Sequence, residues 1–290
     1  MNDVSVPAGT LNLIGAGRVG STLARLWQRH GPLRVQAVLT RGPSSAAAAL
    51  QRLGLGPGAA SPTCSAMPAA DVWLLAVPDD QIAVVARELA ASAQPPAIAW
   101  HASGFLPAAE AQPLRDAGWA VASVHPALSF ADIDSACAQF PGTLCALEGD
   151  APAVARARAA MAAIGGDCFE LAAEAKPLYH GAAVLASNFL PVLQAVAEEL
   201  WRGSGLPAAQ AAALAHGFVQ RSASNLARMG PAAALTGPAA RGDDRVLQAQ
   251  GAAMTARDPA LGQAYAALSQ LAGRLARQGH CLDEPPAPRT

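Results

Sequence analysis

The chain has 290 residues, a formal net charge of −1, 52% apolar residues and only 14% charged ones. That length and composition support a sizeable core and exclude global disorder. The near-neutral balance, with no basic stripe and no acidic tail, leaves no electrostatic case for nucleic acid or an anionic membrane surface as partner.

Residues 11–20, LNLIGAGRVG, read as a short apolar strand that runs into Gly15-Ala16-Gly17-Arg18-Val19-Gly20, with a helix over 21–30. The spacing is G-x-G-x-x-G. Gly15 suits the tight turn, Gly17 lets a pyrophosphate approach the backbone, and Gly20 lets helix and strand pack closely. The first helix amides and the helix dipole then favour an anion. In a chain with 26 glycines the spacing alone is weak, but its place between strand and helix is what a dinucleotide site requires. Gly31-Pro32 breaks the helix, and a second strand follows over 34–39. A NAD site places an acid about 20 residues beyond the glycine loop, on the ribose 2′-hydroxyl. Here that place holds Thr40-Arg41, with Ser44 and Ser45 behind. A guanidinium with hydroxyls suits a 2′-phosphate, which favours NADP. NAD stays the alternative, because arginine can also stack on adenine.

A helix over 45–53 ends in the glycines of 54–58. The run 72–77, VWLLAV, is apolar on both faces and reads as a strand of a parallel sheet covered on both sides. Pro78 is placed to start the next helix and Asp79 or Asp80 to cap it. Strands over 97–101 and 119–125 end in Ala102-Ser103-Gly104 and His125-Pro126. Ligands of open α/β sheets gather beyond the carboxyl ends of strands. The glycine loop, Thr40-Arg41, Val77-Pro78, Ser103-Gly104 and His125-Pro126 all lie at such ends and point to one cleft. Strands over 143–147 and 168–171, around an alanine-rich helix over 151–164, extend the sheet.

From about residue 173 helices take over, at 177–202, 207–229, 243–257 and 258–278. A loop-rich stretch over 229–244 holds Thr236-Gly237-Pro238 and Arg241-Gly242-Asp243, with no derivable role. The expected organisation is a doubly wound, mostly parallel α/β Rossmann domain over 1–172, an all-helical domain over 173–282 and a loose tail over 283–290. The first long helix carries Lys176, Tyr179, His180, Ser187 and Asn188. At 100° per residue Lys176, His180 and Ser187 fall within about 40° of one another. One reading is a solvated helix-start lysine with the other polar groups satisfied in the core. The other is a stripe facing the nicotinamide, with Lys176 or His180 moving a proton and Asn188 orienting substrate. The five cysteines are scattered without C-x-x-C and read as reduced, mostly structural thiols of a cytoplasmic protein. The histidines show no metal-ligand spacing, so no metal is expected. Residues 1–10 show no signal peptide, and no apolar run reaches the ~20 residues of a membrane span, so no membrane partner is expected.

Six segments together carry a family resemblance: the glycine motif, AVPDD (76–80), HASG (101–104), VHPALSF (124–130), KPLYHGAAVLASN (176–188) and LTGPAARGD (235–243). The chain resembles the two-domain Rossmann-like proteins whose C-terminal domain is the domain of unknown function DUF2520. They belong to the group around 6-phosphogluconate dehydrogenase, pyrroline-5-carboxylate reductase and the F420-dependent NADP oxidoreductases. The resemblance implies an NADP-binding first domain, a helical domain of the 6-phosphogluconate dehydrogenase C-terminal type, a homodimer through that domain, and a site in the cleft between domains. Relatives use a lysine with an asparagine four residues on. Lys176 matches, but His180 holds the second place and asparagine comes only at Asn188. His125-Pro126 is similar to the catalytic His-Pro of prephenate dehydrogenases. The expectation is an NADP-dependent oxidoreductase acting on a small carbonyl, imine or hydroxy compound. Lys176 or His180 would be its acid/base, His125 a second acid/base candidate, and Asn188 and Ser103 would position the substrate. Gly15, Ala16, Gly17, Arg18, Val19, Gly20, Thr40, Arg41, Ser44, Val77, Pro78 and Ser103 would line the cofactor. The alternatives are an NADP(H)-binding sensor or interaction protein without turnover and, from family proximity alone, a reductase using a deazaflavin.

Overall fold

Alternating apolar strands and one-sided helices assemble a covered sheet, followed by helices alone. The structure, a computed structural model, describes residues 9–283. Residues 1–8 of the stretch 1–10, where no signal peptide is expected, and the tail read over 283–290 apart from Asp283, lie outside the described residues. The order is β1 (Gly9–Ile14), α1 (Arg18–His30), β2 (Leu33–Leu39), α2 (Pro43–Leu53), β3 (Ala60–Ser61), β4 (Val72–Leu75), α3 (Asp79–Ala90), β5 (Ile98–His101), α4 (Gln112–Asp116), β6 (Ala120–Pro126), α5 (Ile133–Gln139), β7 (Leu144–Gly149), α6 (Ala151–Ala162) and β8 (Asp167–Glu170). Then come α7 (Lys176–Ala183), α8 (Phe189–Gly203), α9 (Ala208–Ala234), α10 (Pro238–Arg241), α11 (Asp244–Arg257) and α12 (Pro259–Gln278).

The eight strands form one sheet in the order β3-β2-β1-β4-β5-β6-β7-β8. Every pair is parallel except β6 with β7. The sheet is the doubly wound, mostly parallel one the sequence predicts. Two cores cover its faces. On one, Trp27 and Trp100 pack with Leu13, Leu74, Phe140 and Met161, and both indoles donate to carbonyls of α6. On the other, Trp73 and Trp119 pack with Leu89 and Leu114. The mid-sheet strands bury both faces, which is why VWLL shows no polar alternation.

Three features depart from the sequence reading. The helices α4 and α5 were unforeseen, being short and without a long apolar period. The helix expected over 177–202 is interrupted: α7 passes through a π segment, Val184–Asn188, before α8. That turn resets the angular phase, so a 100° ladder from Lys176, which sets Asn188 off to one side of the stripe, does not carry through to α8. The stretch Ala173–Gly203, 31 residues that include an 18-residue window of mean hydropathy 1.3, is long and apolar enough by length and composition to cross a membrane, where no such run is expected from the sequence. Its joined helices create the length.

The described chain divides into two compact units, Met1–Leu190 and Pro191–Thr290. The strands end at Glu170, but α7 stays with the sheet because its first residue, Lys176, is buried against strand ends. In the second unit α9 bends at Gly230 (φ 75°) ahead of Pro231, and Gly237 and Gly242 bracket α10 with positive φ. Asp243 caps α11 by accepting from the Val246 amide at 3.2 Å, so the Gly-Pro and Arg-Gly-Asp segments serve as turn and cap residues there.

Candidate functional site

The glycine loop has the shape its spacing predicts. Gly15 lies at φ +85° and donates to Leu39 O at 2.9 Å, so the turn is fastened to the end of β2. A Cβ on Gly15 would stand 2.8 Å from the Ala76 carbonyl carbon and closer still to its oxygen. One on Gly20 would stand 2.5 Å from Gly15 O. A Cβ on Gly17 would meet nothing within 4 Å, so that position faces open space. The helix begins at Arg18 rather than residue 21, and Gly17 at its N-cap supplies no side-chain cap. The first-turn amides of α1 therefore stay available to an anion, and no acid stands in that turn.

Ile14 is paired with Leu39, which sets Thr40 and Arg41 beside the loop. Arg41 and Ser44 are exposed there. Thr40 and Ser45 are occupied: Ser45 Oγ donates to Thr40 Oγ1 at 2.9 Å and to Gly42 O at 2.8 Å, and Thr40 Oγ1 donates to Gly42 O at 3.1 Å. These bonds stiffen the start of α2 and leave Arg41 and Ser44 as the polar groups facing outward. On the other flank Val77 approaches the Gly15 turn and Pro78 leads into α3.

Beyond the ends of β4, β5 and β6 lies a pocket of 190 Å³. Val19, Asp79, Ser103, Gly104, His125 and His180 line it, with Pro126, Leu128 and Phe130 as its apolar wall. Every lining residue belongs to the first compact unit. His180 comes from the segment expected to open the second domain, so the cleft expected between domains is, in this pocket, internal to one unit.

Two imidazoles meet over Gly104. A Cβ on that glycine would fall 2.5 Å from His180 Nδ1 and 2.7 Å from His125 Nε2. The rings stand edge to face with centroids 5.7 Å apart. His125 Nδ1 pairs with Tyr179 Oη at 3.0 Å, whereas His180 Nδ1 is buried and has no partner. A buried, unpartnered ring nitrogen costs free energy unless a ligand or water meets it. Burial, with His180 and Lys176 nearby, lowers the His125 pKa to about 4, so its ring is neutral at pH 7.

Lys176 lies beneath the pocket, not in its lining. It is 1% exposed, and its Nζ donates to Ser123 Oγ at 2.7 Å and Ser103 O at 3.3 Å. Burial holds its pKa below the ordinary range, opposed by Glu148 and Asp79. The ammonium thus ties α7 to the ends of β5 and β6. Asn188 is exposed and accepts from Ser187 Oγ at 2.7 Å, outside the pocket lining. Ser103, expected to touch cofactor or substrate, donates to Asp79 Oδ2 at 2.9 Å and accepts from the Phe105 and Leu106 amides. Asp79 was read as a helix cap; it makes no cap bond and lines the pocket instead. His101 is buried below this loop. Its Nε2 pairs with Pro107 O at 3.1 Å and its Nδ1 accepts from Ser103 N at 3.3 Å. Burial lowers its pKa to about 4.

Neutral His101 and His125 couple stability to pH. Both bind a proton near pH 4 when folded and near 6.5 when unfolded. The unfolded chain therefore holds more protons through that window, and stability falls as pH drops from 6.5 to 4, by up to about 1.4 kcal/mol per pH unit for each fully responsive histidine. Thermal unfolding at pH 7, 5.5 and 4.5 should show a falling Tm that flattens for the His101→Gln, His125→Gln pair. A wild-type Tm that is level across the window would contradict these assignments.

The fold and the loop define a Rossmann-type protein, and comparison with known families agrees. Residues 2–126 match the Rossmann-like domain and residues 143–272 match the domain of unknown function DUF2520. The two matches follow one another in that order along the chain. Among solved structures, a Bacteroides fragilis protein provisionally named an NADP oxidoreductase is 22% identical, with 93% of this chain and 100% of that one covered at a TM-score of 0.74. A Thermotoga maritima protein is 25% identical, covering 93% and 99% at 0.72. The reductive aminase of Aspergillus terreus, solved with NADPH and ethyl-5-oxohexanoate, is 18% identical, covering 96% of each at 0.60. No curated protein matches the chain.

Proposed function

We propose that the chain is an NADP-dependent oxidoreductase acting on a small carbonyl, imine or hydroxy compound. The observation that carries this reading is continuity. Val19, the second residue of the helix behind the glycine loop, also lines the pocket where the imidazoles of His125 and His180 meet. The loop fits the group: Gly17 is open to a pyrophosphate, the α1 amides face it, and Arg41 with Ser44 offers the charge and hydroxyl a 2′-phosphate calls for. When bound, NADPH supplies a hydride. The rest of the work falls to the chain. His180 and His125 line the space where a substrate oxygen or nitrogen would sit, and would give that atom the proton it gains as the hydride arrives. Tyr179 orients the His125 ring, and Lys176 fixes the strand ends beneath it. Leu128, Phe130 and Pro126 exclude water from one wall.

The test follows absorbance at the nicotinamide band with a panel of carbonyls and imines. His180→Ala is expected to lower kcat/KM by about 10²–10⁴, the usual loss on removing an acid/base group. Lys176→Met is expected to lower Tm as well as kcat, because it empties a buried polar tie. Unchanged turnover in His180→Ala would remove that histidine from the reaction. Tight NADPH binding with no turnover on any member of the panel would favour the sensor reading instead.

We also propose that a second copy of the chain covers the apolar face of α7, the π segment and α8. Leu178 is 81% and Leu185 69% exposed, and Phe189, Leu190, Val192 and Leu193 extend the patch. So many large apolar side chains in one helical run mark an interaction surface. Light scattering should give a dimer mass for the wild type and a monomer mass for Leu178→Glu with Leu185→Glu; a wild-type monomer at micromolar concentration would oppose this.

A further inference from the structure

Away from the pocket, the sheet register sets a pair of reactive side chains together. Cys145 of β7 and Cys168 of β8 are direct partners in a parallel pair. Paired residues on neighbouring strands project to the same face, and such strands run about 4.8 Å apart. That separation lies inside the range of roughly 4.4–6.8 Å that a disulfide accepts between Cα atoms. Both thiols face α6. Cys145 is fully buried in the core, where it and Met161 close around Gly166, whereas Cys168 is half-buried against the same cluster.

The two thiols are unequal. The neighbouring Cys145 and the Arg158 guanidinium hold the Cys168 thiol below the ordinary thiol range against the effect of burial. Arg158 is fixed in place, its Nη1 donating to Cys168 O at 2.8 Å. The neighbouring Cys168 and burial push the Cys145 thiol up, and its S–H donates to Thr143 O at 3.5 Å. Cys168 is therefore the reachable thiol, and Cys145 is buried behind it. That is the division between a peroxide-sensing thiol and its resolving thiol.

We propose that Cys145 and Cys168 form a reversible oxidation site that closes as a disulfide between β7 and β8 when the chain meets hydrogen peroxide. The Cys168 thiolate attacks one peroxide oxygen. The O–O bond breaks, a sulfenic acid forms, and the other oxygen leaves as water after protonation. Cys145 sulfur then attacks the sulfenic sulfur; the S–O bond breaks, the S–S bond forms and a second water leaves. The two thiols lose two protons and two electrons, and the peroxide is reduced to two waters. A dithiol reductant reverses the step by exchange. The site adjoins the pocket machinery. Pro126 and His125 pair with Cys145 and Ala146 across β6 and β7. Phe169, next to Cys168, packs edge to face on Tyr179, the partner of His125.

The experiment treats the full-length chain with a small excess of hydrogen peroxide, alkylates the remaining thiols and maps the digest by mass spectrometry. The expected product joins the Cys145 and Cys168 peptides, lighter by two hydrogens, at least about tenfold above any oxidation of Cys281, which is also partly exposed. Dithiothreitol should restore both thiols. Cys145→Ser should lose the cross-link and leave a sulfenic acid on Cys168, trapped by dimedone. Cys168→Ser should leave Cys145 unreacted, and it stays informative if the buried substitution folds poorly. Equal oxidation of Cys168 and Cys281, or a Cys168 link to a second chain in place of Cys145, would overturn the proposal.

Discussion

Gly15→Ala should abolish NADPH binding and destabilise the sheet unit by about 3 kcal/mol or more, a large share of the 5–15 kcal/mol that holds a typical domain together. Two costs add. At φ +85° an alanine enters the left-handed region, at about 1–2 kcal/mol. Its Cβ would also stand 2.8 Å from the Ala76 carbonyl carbon, which is backbone fixed by the Ala76 N to Ile14 O bond of 2.8 Å and cannot swing aside. Relief would have to come from separating β1 from β4 at their carboxyl ends, where the pocket begins. Gly17→Ala is the matched control. Its Cβ meets no protein atom within 4 Å, so Tm should hold within about 1 °C while NADPH affinity falls by about tenfold or more, since only the incoming pyrophosphate needs that space. Thermal shift with NADPH fluorescence titration reads both. A Gly17→Ala chain that binds NADPH as the wild type does would remove the loop from cofactor binding, whatever Gly15→Ala does to the fold.

The contrast between those glycines shows what a sequence can and cannot carry. The loop was legible because its requirements are local: a strand, a turn and a helix start fall within Gly9–His30. The mid-sheet strands were legible for a similar reason, since burial on both faces leaves an unbroken apolar run. The antiparallel turn of β7 against β6 left no such mark, because strand direction is set by pairing and not by composition. Asp79 looked like a helix cap because first-turn aspartates so often are; that it accepts from Ser103, 24 residues on, is a fact of tertiary structure. Asn188, set off to one side of the stripe by the 100° ladder, lies at the end of a π turn that the sequence does not announce. Lys176 and His180 are both singled out from one helical stripe, yet their surroundings divide them: one is buried under the strand ends and donates to Ser103 O and Ser123 Oγ, the other lines the pocket with an unpartnered ring nitrogen buried over Gly104.

Gly104 is the position where that division can be tested. Its sequence context, HASGF, reads as an ordinary turn, and its importance appears only when His125 and His180 are brought over it. Gly104→Ala should lower kcat/KM by about 10² while leaving NADPH affinity within about twofold. The added methyl would stand 2.5 Å from His180 Nδ1 and 2.7 Å from His125 Nε2, so at least one ring must move by a large fraction of an ångström. Both clashes are with ring edges and not backbone, and Gly104 has no positive φ, so the fold should lose no more than about 1–3 kcal/mol, the usual cost of overpacking. The effect on chemistry is larger because acid/base geometry tolerates little error: a displacement of about 1 Å can cost a hundredfold. The glycine loop and Arg41 are untouched, so cofactor affinity serves as the internal reference. Combining Gly104→Ala with His180→Ala sharpens the result. If the imidazole pair is the proton-handling group, the double variant should be hardly worse than either single one, because both remove the same function. Losses that multiply would show that Gly104 matters for another reason, such as substrate access, and full activity in Gly104→Ala would show that the rings are not where the reaction takes its proton.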